Sequence, residues 1–124
     1  MKLPLFLAFA SIVFGIFGAG LVVAPGAFMQ PFGLAFDDAG TLMSRVLGAA
    51  LIGFALAMWL SRAADPAAVR PLLIGGFAYN LIDLPINIAA ILTGAMNALA
   101  WVNIGLHLIL AAGFGWFALR RRAA

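Results

Sequence analysis

The chain alternates between long apolar stretches and short polar connections. Four stretches are long enough to cross the hydrocarbon core of a bilayer as helices, which takes about 20 residues. They cover residues 3–23, 42–60, 72–92 and 99–119. The pattern predicts an all-α fold, an integral membrane four-helix bundle in one domain. The connection over 24–41 is apolar for a loop, and we expect it to lie along the interface or to fold over the helix ends.

The first apolar stretch also has features of a secretory signal peptide. Lys2 precedes it, and Ala8 and Ala10 flank a phenylalanine in the manner of a cleavage site. A signal core is about 7–15 residues long, however, and this stretch continues to Val23. We therefore expect a retained helix. Cleavage would leave three helices in the same orientation.

Composition makes lipid the expected environment of these helices. The chain is 66% hydrophobic and only 9% charged, whereas soluble domains are about 25% charged. A net charge of +3 could suggest nucleic acid, but the basic residues lie at segment ends and not on one face of a domain. We expect no nucleic-acid partner. The absence of cysteine excludes disulfides and thiolate metal sites.

The basic residues predict the orientation of the four spans. With four spans, the two termini and the second connection share one side, and short cytoplasmic loops are enriched in Lys and Arg. That side carries Lys2, Arg62, Arg70, Arg120, Arg121 and Arg122. The opposite side carries only Arg45, with Asp37 and Asp38. The N-terminus and C-terminus are therefore predicted to be cytoplasmic.

Small residues recur at four-residue spacing on the first two spans. Such stripes allow close approach of membrane helices. They are Ser11, Gly15 and Ala19 on the first span and Ala49, Gly53 and Ala57 on the second. These residues are candidates for helix packing, either within one subunit or between subunits.

Polar residues mark one face of each of the last two spans. Asn80, Asp83 and Asn87 are spaced i, i+3, i+7, and Asn103 and His107 are spaced i, i+4. Each set shares one helix face. Ionisable residues inside a membrane span cost several kcal/mol, so they face protein or water.

An antiparallel hairpin with its turn near residue 95 would place these two faces in register. Asp83 would then lie opposite His107 near the bilayer midplane, and Asn87 opposite Asn103. We expect Asp83 and His107 to bond directly or through water. The guanidinium of Arg45 could snorkel to the interface, where Asp37 and Asp38 are competing partners, or reach inward toward Asp83 or Asn87 and form an outer polar pocket.

Three interpretations of this polar face remain open at this stage. It could hold the helices together, bind a ligand, proton or ion, or contact another protein subunit. A single histidine excludes a four-ligand metal site and bis-histidine haem within one chain. No phosphate loop or dinucleotide fingerprint is present. The sequence assigns no catalytic residue and no metal ligand, and it favours a non-enzymatic protein.

Two short segments resemble a known group of membrane proteins. Residues 44–50 (SRVLGAA) open the second span, and residues 97–101 (NALAW) open the fourth. The layout is similar to the small four-helix inner-membrane proteins of bacteria in the DoxX-like neighbourhood. This resemblance implies fold and location in the bacterial inner membrane. DoxX-like proteins are linked with quinone-dependent oxidation or with accessory roles in membrane complexes, but no catalytic motif carries over to residues here.

The sequence favours a non-enzymatic subunit that self-associates or belongs to a larger membrane complex. One alternative is a small-molecule or proton-coupled carrier that uses Asp83 and His107, with Arg45 at its outer mouth. Another is a binder of an apolar cofactor such as a lipid, quinone or sterol, lodged by the face of Tyr79. No cofactor is identified, and a bound lipid or quinone is the candidate.

Overall fold

The computed structural model describes residues 2–120, and the regular structure in that range is helical throughout. The helices are α1 (Leu3–Val23), α2 (Pro25–Met29), α3 (Asp38–Leu60), α4 (Pro66–Leu92) and α5 (Ala100–Leu119), with 3-10 turns at Gln30–Phe32 and Ser61–Ala63. α1, α3, α4 and α5 are long and apolar enough to cross a membrane. The predicted all-α fold with four apolar helices is confirmed. Arg121 and Arg122, which entered the orientation argument, lie outside the described residues.

Two helices begin earlier than the apolar pattern predicts, because aspartates cap them. The Asp37 side chain accepts a hydrogen bond from the Gly40 amide at 2.7 Å, and α3 starts at the next residue. Asp65 accepts from the Ala67 amide at 2.7 Å, so α4 starts at Pro66 and not at residue 72. Asp65-Pro66 is thus a helix start, with proline in the first turn, where its missing N–H is harmless.

The connection between α1 and α3 folds over the end of the bundle. The Asn97 side chain, between α4 and α5, donates to the Pro31 carbonyl at 2.8 Å, and the Asn97 amide donates to the Phe32 carbonyl at 2.9 Å. Gly33 adopts a φ of 86°, and a Cβ there would lie 3.2 Å from the Asn97 amide nitrogen. Of the two arrangements expected for this connection, the structure shows the one that covers helix ends.

The close helix pairs in the described chain are α1 with α3 and α4 with α5. The two helices of the first pair meet at Gly18 and Gly48. A Cβ on Gly18 would lie 2.8 Å from the Gly48 carbonyl oxygen, and one on Gly48 would lie 2.7 Å from the Gly18 carbonyl oxygen. Ser11 adds a hydrogen bond from its hydroxyl to the Ala55 carbonyl at 2.8 Å. Backbone contact therefore joins α1 to α3.

The two predicted small-residue stripes lie mostly beside this contact. Ser11 is buried against α3, but Ala19, Ala49 and Gly53 are exposed, and Gly15 and Ala57 are half-buried. A Cβ on Gly53 would meet nothing within 4 Å. A role for the stripes in contacts between copies of the chain stays a prediction.

Aromatic side chains fill the space between the two helical hairpins. Phe6 of α1 meets Phe114 of α5 edge to face, with ring centroids 4.9 Å apart. Phe14 lies 5.5 Å from Tyr79 of α4 and 6.4 Å from Phe114. A Cβ on Gly76 would approach the Phe114 ring to 2.6 Å, so the glycine makes room for it. Phe6 and Phe114 are fully buried and form the centre of the core.

We expect Gly48→Ala to destabilise the fold by about 1–3 kcal/mol, since an added methyl group in a tight contact forces a backbone shift. Unfolding in one detergent, followed by circular dichroism, measures the effect. Gly53→Ala on the open face of the same helix is the matched control and should leave the unfolding midpoint unchanged or slightly raised. Equal losses in the two variants would contradict the importance of the Gly18–Gly48 contact.

Candidate functional site

A buried asparagine begins a chain of polar contacts between α4 and α5. Asn80 is fully buried, and its Nδ2 donates to the Gly76 carbonyl at 2.7 Å. Its Oδ1 therefore faces α5, where it lies 2.8 Å from Nδ1 of His107. The other ring nitrogen, Nε2, lies 2.9 Å from Oδ2 of Asp83. One imidazole thus joins two side chains that are three residues apart on α4.

Two further asparagines continue the chain toward the α4–α5 turn. Nδ2 of Asn87 donates to the carboxylate of Asp83 and, at 3.0 Å, to the Asp83 carbonyl. Oδ1 of Asn87 accepts from Nδ2 of Asn103 at 3.3 Å. We call these five residues, Asn80, Asp83, Asn87, Asn103 and His107, the polar seam. The contacts that the hairpin register predicts, Asp83 with His107 and Asn87 with Asn103, are present.

The hydrogen-bond pattern places the protons of the His107–Asp83 pair. Oδ1 of Asn80 can only accept, so Nδ1 of His107 must carry a hydrogen. The short contact between Nε2 and Oδ2 of Asp83 needs one more hydrogen, on either atom. Either an imidazolium faces a carboxylate or a neutral imidazole faces a carboxylic acid. In both cases the pair carries no net charge, which reduces its desolvation cost in an apolar bundle.

One polar atom of the seam is left without a partner. Oδ1 of Asn103 is buried and has no hydrogen bond among the described residues. Asn103 lies on the wall of a cavity of about 40 Å³, together with His107 and Tyr79. The remaining wall is apolar and comes from α1, α3 and α5: Val13, Phe14, Phe17, Leu51, Leu106 and Leu110. The cavity can hold a water molecule or the polar end of a larger molecule.

Tyr79 and Leu51 separate this cavity from a groove on the outside of the bundle. The Tyr79 ring lies 6.0 Å from the His107 ring. Tyr79 and Leu51 also line a groove of about 390 Å³ between α3 and α4, whose other walls are Leu47, Ala50, Phe54 and Gly75. The groove arises because α3 packs on α1 and not on α4. An apolar chain in this groove would reach the cavity between two side chains.

Arg45 does not take part in the seam. It is exposed on α3, and no hydrogen bond or ion pair joins it to another residue in the range 2–120. Of the orientations expected for Arg45, the structure shows the one at the surface, and a role for Arg45 in binding stays a prediction. The physical reason is the helix pairing. Because α3 packs against α1 and not against α4, the guanidinium of Arg45 stays at the surface.

Sequence reasoning found the polar wall of the cavity and missed the apolar wall. Phe14 and Leu51 look like any other apolar residue of a span, and no pattern distinguishes them. The contact between Asn80 and His107 could have been found, because both residues lie on the predicted polar faces. In residues 2–120, no group of three or more His, Cys, Asp or Glu side chains is placed to hold a metal ion.

Comparisons with known proteins do not assign this chain to a family. No protein-family model, no curated protein and no solved structure matches it. The DoxX-like resemblance stays a prediction. The geometry of the seam and its cavity is therefore the basis for proposing a function.

The single histidine of the chain allows a direct test of the proton positions. With ¹⁵N-histidine labelling and a purification tag free of histidine, we expect the Nδ1 nitrogen of His107 to be protonated. A free neutral imidazole prefers the proton on Nε2, so the signal is distinctive. In the neutral imidazole, Asn80→Leu should remove the preference for Nδ1, while Asn97→Leu, outside the seam, should retain it; in an imidazolium both nitrogens carry a proton in either variant. A bare Nδ1 in the unaltered protein would contradict the arrangement.

Proposed function

We propose that this chain is a multi-pass protein of the bacterial inner membrane with both termini on the cytoplasmic side. Four helices of sufficient length and apolarity support insertion. Their outer faces carry large apolar side chains, such as Ile82 and Ile109, which are 63% and 62% exposed. Lipid is the solvent that such faces require. The distribution of Lys and Arg supports the orientation, and the DoxX-like resemblance supports the bacterial inner membrane.

The absence of native cysteine makes this topology testable with single introduced cysteines. Ala35 lies in the connection before α3 and Ala64 in the connection before α4, and both are exposed. We expect a membrane-impermeant maleimide to label Ala35→Cys in intact spheroplasts, and Ala64→Cys only after lysis. The reverse pattern would overturn the orientation. Labelling of both positions in intact cells would overturn the four-span arrangement.

Within the membrane, the function that the geometry favours is non-enzymatic binding of an apolar small molecule with a polar end. The observation that carries this proposal is that Asn103 lines a cavity and that its buried Oδ1 has no partner among the described residues. Leaving such an acceptor unpaired costs about 1–3 kcal/mol. A ligand that presents a hydroxyl or amine hydrogen would remove that cost. His107 and Asp83 act as positioning residues, because their bonds hold α5 and hence Asn103 in place.

The groove between α3 and α4 supports an apolar body for this ligand. It opens on the lipid-facing side of the bundle and shares Leu51 and Tyr79 with the cavity wall. A molecule dissolved in the bilayer could place its tail along the groove and its polar end beyond Tyr79. Lipids, quinols and sterols have this shape. The quinone-linked roles of DoxX-like proteins point to the same class.

Mass spectrometry of molecules that co-purify with the protein in mild detergent tests the proposal. We expect one lipid or quinone-type molecule per chain, and about fivefold less of it in Asn103→Leu, which corresponds to the loss of about one hydrogen bond. Val13→Phe fills the cavity from α1 without altering a seam residue and should have the same effect. Thr93→Val, at the exposed end of α4, is the control and should leave retention unchanged.

Two outcomes of this measurement would reject an apolar-ligand function. One is a protein that carries no molecule beyond bulk lipid, which would mean that water alone fills the cavity. The other is equal retention in Asn103→Leu and the control. The Asp83→Asn variant distinguishes a proton-coupled carrier from a simple binder. In a carrier, ligand binding should change with pH in the unaltered protein and should not change with pH in this variant.

A second candidate function is self-association or an accessory role in a membrane complex. The observation that favours it is a groove of about 440 Å³ on the outer side of α1 and α3, lined by Ser11, Gly15, Ala19, Ile52, Ala55, Leu56 and Trp59. Small residues at such a surface let a second helix approach closely. Native mass spectrometry should then show a dimer, and Ala19→Leu should convert it to a monomer. Ala112→Leu, at an exposed position of α5, is the control and should leave the dimer intact. A monomer in the unaltered protein would reject this candidate.

A further inference from the structure

A second concave site lies at the end of the bundle where α4 begins and α5 ends. The polar seam lies on the same two helices but extends toward the opposite end, where the α4–α5 turn is. The second site is a cavity of about 230 Å³. Arg70 from α4 and Arg120 from the end of α5 both line it, and the rest of the wall is Pro66, Ala67, Phe117, Ala118 and Leu119. Two cations and an apolar wall therefore share one pocket. Neither the seam nor its cavity uses these residues.

We propose that this pocket binds the phosphate headgroup of an anionic phospholipid. Basic pockets between helix ends at a membrane surface suit such headgroups, and the guanidinium group pairs with phosphate through parallel hydrogen bonds. The apolar part of the wall continues to Leu119, which is 76% exposed on the lipid-facing surface. A phosphate held by the two arginines would thus leave its acyl chains beside α5, which favours a lipid over a free anion.

The surroundings of Arg120 place its charge at the level of a lipid headgroup. Its guanidinium lies over the Trp116 ring, 4.7 Å from the centroid, and Trp116 is 59% exposed. Exposed tryptophans are enriched at the membrane–water interface. The ring limits the freedom of the arginine side chain, so less entropy is lost when it binds a phosphate.

Another arginine at the same end of the bundle provides a matched control. Arg62 lies 3.4 Å above the centre of the Trp59 ring, and its Nε donates to the Trp59 carbonyl at 2.8 Å. Like Arg120, it carries one positive charge and lies over a tryptophan ring, but it does not line the pocket. If anionic lipid were attracted only by the general positive charge of this end, Arg62 would contribute to binding as much as Arg70 or Arg120. If the pocket is a specific headgroup site, binding should not depend on Arg62.

The test is native mass spectrometry of the full chain in detergent during titration with phosphatidylglycerol or with phosphatidylcholine. We expect preferential binding of one phosphatidylglycerol per chain. Arg70→Gln and Arg120→Gln should each lower its affinity about fivefold, as expected for one arginine at an anionic surface. Arg62→Gln should leave the affinity unchanged. Both pocket arginines are exposed, and Arg120 follows the last turn of α5, so its glutamine variant should retain the fold.

Three results would overturn the proposal. Equal binding of the two lipids would remove the role of the phosphate charge, because phosphatidylcholine is zwitterionic. Equal losses in Arg62→Gln and the pocket variants would mean diffuse attraction and no site. Competition by inorganic phosphate at the same molar concentration would make a soluble anion the ligand. The circular dichroism unfolding midpoint of each variant, measured without added lipid, shows whether a loss of binding reflects a loss of fold.

Discussion

Polar side chains on the facing sides of α4 and α5 bond to one another, and these bonds fix how the two helices meet. His107 satisfies Asn80 and Asp83 at once, with contacts of 2.8 Å and 2.9 Å. A shift of α5 by one residue would turn the imidazole away, which would leave Oδ1 of the buried Asn80 without a partner and Asp83 with Asn87 alone. The net gain from each bond is small, since such bonds contribute about 0.6 kcal/mol on average in membranes. Their effect on register is larger, because three contacts between α4 and α5 are made together only when the two polar faces are aligned.

The other hairpin depends on shape and not on polarity. α1 and α3 approach through Gly18 and Gly48, where even one added carbon would collide with a carbonyl oxygen. In the proposed membrane setting, hydrophobic burial gives little attraction between two helices, so van der Waals contact of the backbones would supply it. The chain thus uses two physical solutions to the same problem, a hydrogen-bonded pair and a close-packed pair. Aromatic rings, with Phe6 and Phe114 at their centre, fill the space between them.

The sequence was sufficient to predict the features that depend on the periodicity of apolar and polar residues. The four apolar stretches and the facing positions of Asp83 and His107 follow from helix geometry and from one short turn. Helix starts were less accurate, because capping by Asp65 depends on side-chain conformation. The orientation of Arg45 stayed open, since apolar stretches do not specify which helices pair. The pocket of Arg70 and Arg120 was missed for a similar reason: each arginine reads as a topology signal, and only the fold brings them to one wall.

The pairing of α1 with α3 and of α4 with α5 makes this chain two hairpins joined by one short link. Each hairpin contains its own specific contacts within residues 2–120, and the five residues 61–65 connect them. If the chain inserts into a membrane as proposed, a ribosome that delivers the first hairpin delivers a unit that can pack before the second is made. Biogenesis can proceed as two successive insertions followed by lateral docking. The aromatic layer between the hairpins would form last and would set the final shape of the cavity.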